Sequence, residues 1–315
     1  MMLARVADSL YWLGRYIERA EHLSRLSSVM LNATLDQTDS GVQAVWIALS
    51  AVGEPEVSSA IGSFEAAEAL VLDRADDNSV VSSLSRAREN ARQVRDQITT
   101  ETWERLNLLY LKVTDENARR DFADGSTTFL HDVIADLHLF KGAADTTMSH
   151  GESWRFMMLG MYLERAQLVS RLLEVCFAET PGRQINDHIA LVSLLRMACA
   201  LEPYLRVYTA EIEPRHILEF LVFDEDFPRS IRFATSQIEA NLSVLARRAG
   251  GDGAGAGPER IAGRLKARLQ FADINELENQ GAGALLTTVV NECARIHEAI
   301  YETFVAYPLE MRLPA

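Results

Sequence analysis

Three cysteines in 315 residues, Cys176, Cys199 and Cys293, are too few for a disulfide framework, and without a CxxC pair they do not make a zinc knuckle. Such sparing use fits a reducing cytoplasm. No stretch holds about 18 consecutive apolar residues, so no segment is expected to span a membrane. The opening MMLARVADSLYWLGRYIER also lacks the apolar core of a signal peptide; Asp8 and Arg15 break it into an amphipathic pattern that belongs to the fold. Basic residues are outnumbered, 31 Lys and Arg against 45 Asp and Glu, and a net charge of −14 sets DNA or RNA against net repulsion. Phosphate cradles are missing too. There is no GxxxxGK[ST] and no GxGxxG after a strand, and the glycine-rich stretch 249–258 holds Asp252 and no lysine, so ATP is expected to bind elsewhere, on a partner.

What is present argues for a folded, all-α protein. Hydrophobic residues make up 48% and charged residues 24%, with mean hydropathy of −0.04, the balance of a globular chain long enough for one large core or two ordinary domains. Apolar residues recur at three- and four-residue spacing almost throughout, and sustained two-residue alternation is nearly absent. Asp77-Asn78-Ser79 reads as a helix start before VVSSLSRARENARQVRDQI, and Pro228 is placed in the first turn of RSIRFATSQIEANLSVL. Gly182 after Pro181 reads as a helix stop, and AGGDGAGAGP, 249–258, as a flexible loop. The charged SRARENARQVRDQITTETWERL reads as a solvated helix that could also dock another helix, and Trp12, Trp46, Trp103 and Trp154 as core residues.

The chain also repeats itself. LGRYIERAEHLSRL, 13–26, and LGMYLERAQLVSRL, 159–172, share nine of fourteen residues, where unrelated segments share roughly one. Later and in the same order, EALVLD (68–73) is echoed by EFLVFD (219–224), each followed by a polar turn and a new helix. Collinear matches predict an internally duplicated helical bundle, residues 1–150 and 151–315, with two pseudo-symmetric halves sharing a core.

Within the second copy apolar side chains surround the helix on every side, so it should be buried, yet it carries Glu164 and Arg165. Unpaired charges there would cost several kcal/mol. Neighbours on a helix point about 100° apart, so each must find a partner on another helix. If the halves pack about a pseudo-two-fold axis, Glu18 meets Arg165 or Arg171, and Glu164 meets Arg19 or Arg25. In the first copy Glu18 shares a face with Tyr11, Arg15, His22 and Arg25. Two roles suit such pairs: fixing helix register in a buried bundle, or forming a polar site for a ligand or partner carboxylate.

ARVADSLYWLGRYIERAEHLSRL, ESWRFMMLGMYLERAQLVSRL and FLVFDEDFPRSIRF resemble the bacterial alpha-E family, helical proteins named for a Glu-Arg motif, and the resemblance covers essentially the whole chain. It implies Glu18, Arg19, Glu164 and Arg165 as motif residues, with Trp154-Arg155-Phe156 and the stretch from Asp224 through Arg229 to Ser230 as accompanying phrases. It further implies association with circularly permuted ATP-grasp proteins and transglutaminase-like proteins, in the making or processing of a peptide. Met161 and Leu168 stand where the first copy has Arg15 and His22, so a site here would be asymmetric.

Other chemistry is thin. Glu213-Pro214-Arg215-His216 matches half of a di-iron signature, but its partner is absent and Pro214 suggests a helix start, so no metal or other cofactor is expected. Cys293 and His297 are one turn apart without a third, orienting group, and His22, His138 and His297 read as ordinary helical histidines. The expectation is a cytoplasmic helical partner of an ATP-grasp peptide ligase. The alternative is an enzyme whose pocket of Glu18, His22, Arg25, Glu164 and Arg171 holds a carboxylate-bearing or peptide substrate, with a carboxylate or His22 moving protons.

Overall fold

A computed structural model describes residues 2–35, 63–177, 188–209, 211–248, 257–275, 277 and 281–306. Among them are twelve α-helices and no strand: α1 (Ala4–Leu35), α2 (Ser63–Leu72), α3 (Val80–Gln93), α4 (Thr100–Thr114), α5 (Ala118–Thr147), α6 (Glu152–Phe177), α7 (His188–Met197), α8 (Leu201–Tyr208), α9 (Pro214–Phe223), α10 (Ile231–Arg248), α11 (Pro258–Phe271) and α12 (Ala282–Ile300). A π-helical turn, Tyr301–Val305, follows and packs on α1 and α12. None of the described helices is long and apolar enough to cross a membrane.

The two motif helices, α1 and α6, lie against each other at the centre. Helices α2, α3 and α5 surround α1; α10 and α12 flank α6. Helix α4 packs on both α3 and α5, and α11 on both α10 and α12. The reason α6 sits inside is in its sequence: Phe156, Met157, Met158, Leu159, Met161 and Leu163 face in several directions, and all are buried.

Local signals set the helix ends. Ser79 accepts a hydrogen bond from the Ser82 amide and opens α3, as expected. The stretch SRARENARQVRDQITTETWERL is two helices rather than one. Thr99 accepts from the Thr102 amide and starts α4 after a turn at 94–98, because a threonine hydroxyl competes for backbone donors inside a helix but satisfies them at its start. Pro228 likewise lies before its helix. Ser230 accepts from the Phe233 amide, so α10 begins at Ile231. Pro214 and Pro258 do occupy first turns, where a missing amide proton costs nothing. Trp12, Trp103 and Trp154 are half-buried and packed against the core rather than enclosed by it. Trp46, Pro181, Gly182 and residues 249–256 of the glycine-rich loop lie outside the described residues.

Candidate functional site

The site begins with two glycines. A methyl group on Gly14 would lie 2.0 Å from the Met157 carbonyl oxygen, and one on Gly160 would lie 2.0 Å from the Tyr11 carbonyl oxygen. Backbone meets backbone at the crossing of α1 and α6, and only glycine permits it. Each glycine sits four residues before the motif glutamate of its helix, so the close approach carries Glu18-Arg19 and Glu164-Arg165 past one another.

Their pairing is reciprocal. Arg165 donates to Glu18 through Nε (2.7 Å) and Nη2 (2.8 Å), a two-pronged bond. Arg19 Nε donates to Glu164 Oε1 at 2.7 Å, and Arg15 Nε to Glu164 Oε2 at 2.6 Å. The remaining arginine nitrogens reach the loops before α3 and α10: Arg19 Nη1 donates to Asn78 Oδ1 (2.9 Å) and Arg165 Nη1 to the Pro228 carbonyl (3.0 Å). Those loops have matching internal bonds. Ser79 Oγ donates to the Asp73 carbonyl and Ser230 Oγ to that of Asp224, while the Asp73 and Asp224 carboxylates accept from the Ala75 and Asp226 amides. The guanidinium groups of Arg19 and Arg165 lie over the rings of Tyr16 and Tyr162, at 5.7 and 5.0 Å.

One end of the network departs from this correspondence. Glu21, fully buried, accepts from Lys141, Arg229 and, at 3.0 Å, Arg25 Nε; His138 Nε2 is 3.2 Å away. Lys141 also donates to Glu18 at 2.5 Å, and Arg229 Nη1 to Glu18 at 3.3 Å. At the equivalent place in α6 stands Gln167, which accepts from Arg15 Nη2 at 2.8 Å.

Electrostatics keep these carboxylates ionised. Burial pushes the Glu18 carboxyl up, but Arg165, Lys141 and Arg229 together hold it far below the ordinary range. Glu21 is lowered against the same burial by Lys141, Arg229, His138 and Arg25, and Glu164 by Arg15 and Arg19. His22 is enclosed nearby, and burial, helped by Arg229, pushes it down to about 4, so its ring is neutral at pH 7. Its Nε2 is buried with no hydrogen-bond partner among the described residues.

Of the residues expected from sequence, Glu18, Arg19, Glu164, Arg165 and Arg229 come together, with His22 and Arg25 beside them. Arg25 pairs with Glu21 rather than Glu164. Arg171 is exposed and takes no part in the network: the residue one turn before it is Gln167, so the carboxylate that holds Arg25 is missing there. Arg155 lies ten residues before Arg165, about 15 Å along the helix, and donates to Asn241 at 3.1 Å. Asp224 shapes its loop, accepting from the Asp226 and Phe227 amides, without reaching the charged cluster. Sequence reasoning missed Glu21 and Lys141 as members, and named Arg15 only as a neighbour. The i,i+3 spacing of Glu18 and Glu21 was the available signal for the first. Cys293 is buried with its thiol pushed up to about 12, and His297 Nδ1 is 2.9 Å from the Tyr11 hydroxyl, so the two do not form a nucleophile pair.

An all-helical protein organised around paired Glu-Arg motifs at a helix crossing is therefore the class defined by fold and site. The chain belongs to the Alpha-E family, described as a predicted alpha-helical domain with a conserved ER motif, which matches residues 2–305. It is similar to an uncharacterised protein of Mycobacterium bovis and to one of Mycobacterium tuberculosis, each 25% identical over 319 residues, covering 94% of this chain and 35% of the relative. The chain thus spans about a third of the length of the curated relatives it matches. No solved structure matches it.

Proposed function

We propose that this chain is a cytoplasmic helical accessory partner of an ATP-grasp peptide ligase system, acting in synthesis or processing of a peptide, and that it has no independent catalytic activity. One observation carries the second half of this reading: every carboxylate in the Glu-Arg network is buried, ionised and bound by two or more cations, so none has a proton to give or the basicity to take one. Such groups hold a framework. The relatives add support, because the matching segment is a minor part of their chains and so is compatible with working alongside another domain. The ATP-grasp and transglutaminase-like partners themselves come from the family resemblance. We further propose that the two halves arose by duplication, supported by the paired glycines, the reciprocal Glu-Arg bonds and the matching serine-capped loops.

The test uses the full chain. Calorimetry should give no heat with ATP for the protein alone, while size-exclusion chromatography with a circularly permuted ATP-grasp protein from the same genome should give a complex. Tight ATP binding by the chain alone, or no complex at micromolar concentrations, would sink the proposal. The rival enzyme reading rests on His22, whose Nε2 is buried without a hydrogen-bond partner among the described residues. Turnover of a carboxylate-bearing peptide that is lost in His22→Gln would favour it.

A further inference from the structure

The charges around the crossing do not balance, and the imbalance has a location. Glu164 is bound by Arg15 and Arg19, and the surplus cation there rests on aromatic faces: Arg15 over Tyr11 and Trp12, Arg19 over Tyr16. At the other pole Glu18 and Glu21 face four cations, Arg25, Lys141, Arg165 and Arg229, of which only Arg165 has such a face, that of Tyr162. Two positive charges therefore stand over, in a protein whose net charge is −14. Asp145, one turn along α5 from Lys141, is exposed and lies beside His150.

A surplus of desolvated cations over their counter-charges is costly, and the three cations without an aromatic face are nearly desolvated: the side chains of Arg229, Arg25 and Lys141 are 12%, 14% and 16% exposed. That residual exposure means they reach the surface, where half-exposed His138 stands next to Arg25, Nη2 to Nε2 at 2.9 Å. Donors remain to be used. Lys141 gives two of its three N–H groups to Glu18 and Glu21, and Arg25 and Arg229 each keep N–H groups beyond those given to described partners. Arg229, Glu18 and Glu21 act on the enclosed His22 ring, whose buried Nε2 has no hydrogen-bond partner among the described residues.

We propose that this pole is a binding site for a dianionic oxyanion of the phosphate class, held by Arg25, Lys141 and Arg229 with His138 at its rim. A dianion cancels both surplus charges and offers several acceptor oxygens to converging donors; a single carboxylate would leave one charge over. Arginine and lysine from three separate elements, α1, α5 and the loop before α10, then close on one ligand, so binding also ties those elements together. The site does not depend on the accessory role: failure to find a partner leaves it standing, and failure to bind phosphate leaves the partnership standing.

The experiment titrates inorganic phosphate into the full chain at constant ionic strength, with chloride as background and malonate as a second arm, followed by calorimetry and phosphorus NMR. One saturable phosphate site per chain is expected, weakened at least about tenfold in Arg25→Gln and in Lys141→Met. Half-exposed His138 supplies a variant that should fold normally, and His138→Ala should weaken binding by roughly threefold. Circular dichroism checks that each variant is folded. No saturable binding by the wild-type chain, tighter binding of malonate than of phosphate, or an affinity unchanged in every folded variant would overturn the proposal.

Discussion

Gly160→Ala adds a methyl group where another backbone already stands. The new carbon would lie 2.0 Å from the Tyr11 carbonyl oxygen and 3.1 Å from the Arg15 amide nitrogen. An ordinary carbon-oxygen contact is roughly 3.3 Å, so α1 and α6 must separate by about 1.3 Å. Bonds that cross the same interface stretch with them. Arg15 and Arg19 now donate to Glu164 at 2.6 and 2.7 Å, and that separation takes both towards about 4 Å, beyond hydrogen-bond range. Overpacking costs about 1–3 kcal/mol and weakened charge-assisted bonds a further 1.5–3, against a gain of up to about 1 from replacing a helical glycine. The expected net loss is about 1.5–6 kcal/mol. Urea unfolding measures it, with Gly142→Ala and Gly263→Ala as controls: both glycines lie inside helices with nothing within 4 Å of the added carbon, so both variants should gain about 0.5–1 kcal/mol. The sign separates the two cases. A Gly160→Ala midpoint at or above wild type, with the controls stabilised, would refute the close crossing.

Glu164→Ala should cost about 3–5 kcal/mol because it strands Arg15 and Arg19, whereas Glu89→Ala, which removes an exposed partner of Arg92, should leave the unfolding midpoint unmoved; double-mutant cycles for Glu18 with Arg165 and Glu164 with Arg19 should each show about 1–3 kcal/mol of coupling, and additive cycles would mean the pairs do not act together. His22 has a folded pKa of about 4 against 6.5 in the open chain, so between those values the unfolded state binds more protons and stability rises with pH, by about 3 kcal/mol across the window. Glu18 and Glu21 on its own helix, Glu164 on α6 and Arg229 on the loop before α10 face the ring. Because the three carboxylates are lowered, their contribution is complete above about pH 4.5 and is lost only as pH falls further. His22→Leu should therefore flatten stability between pH 4 and 6.5 while leaving the steeper acid loss in place; an unchanged profile would show that the ring is not held neutral by burial.

The reciprocal pairing of Glu18 with Arg165 and Glu164 with Arg19 was legible because two facts met: the motif is written twice, and its second copy is too apolar to leave a charge exposed. Gly14 and Gly160 stand at the same place in both motifs, but a sequence does not say how near another backbone comes. Lys141 was beyond reach for a similar reason. It stands on α5, about 120 positions from Glu21, in a segment with no counterpart phrase, and only the packing of α5 on α1 brings it in. Arg171 misled because symmetry was assumed one turn too far. The repeat holds at Glu18 and Glu164 and stops at Glu21, where α6 has Gln167.

The crossing also bears on the order in which the molecule assembles. Its ion pairs join residues 145 to 149 positions apart, and those of Arg229 reach across 208 and 211, whereas α4 and α5 are neighbours in the chain. Closing long loops costs entropy that short hairpins avoid, so the central pair is expected to meet late, after its flanking helices have formed. Until then α6 is a rod, apolar through most of its middle turns, waiting for α1. The only hydrated charges in its middle turns are Glu164 and Arg165, so the residues that lock the finished core are also the ones that keep its unfinished half in solution.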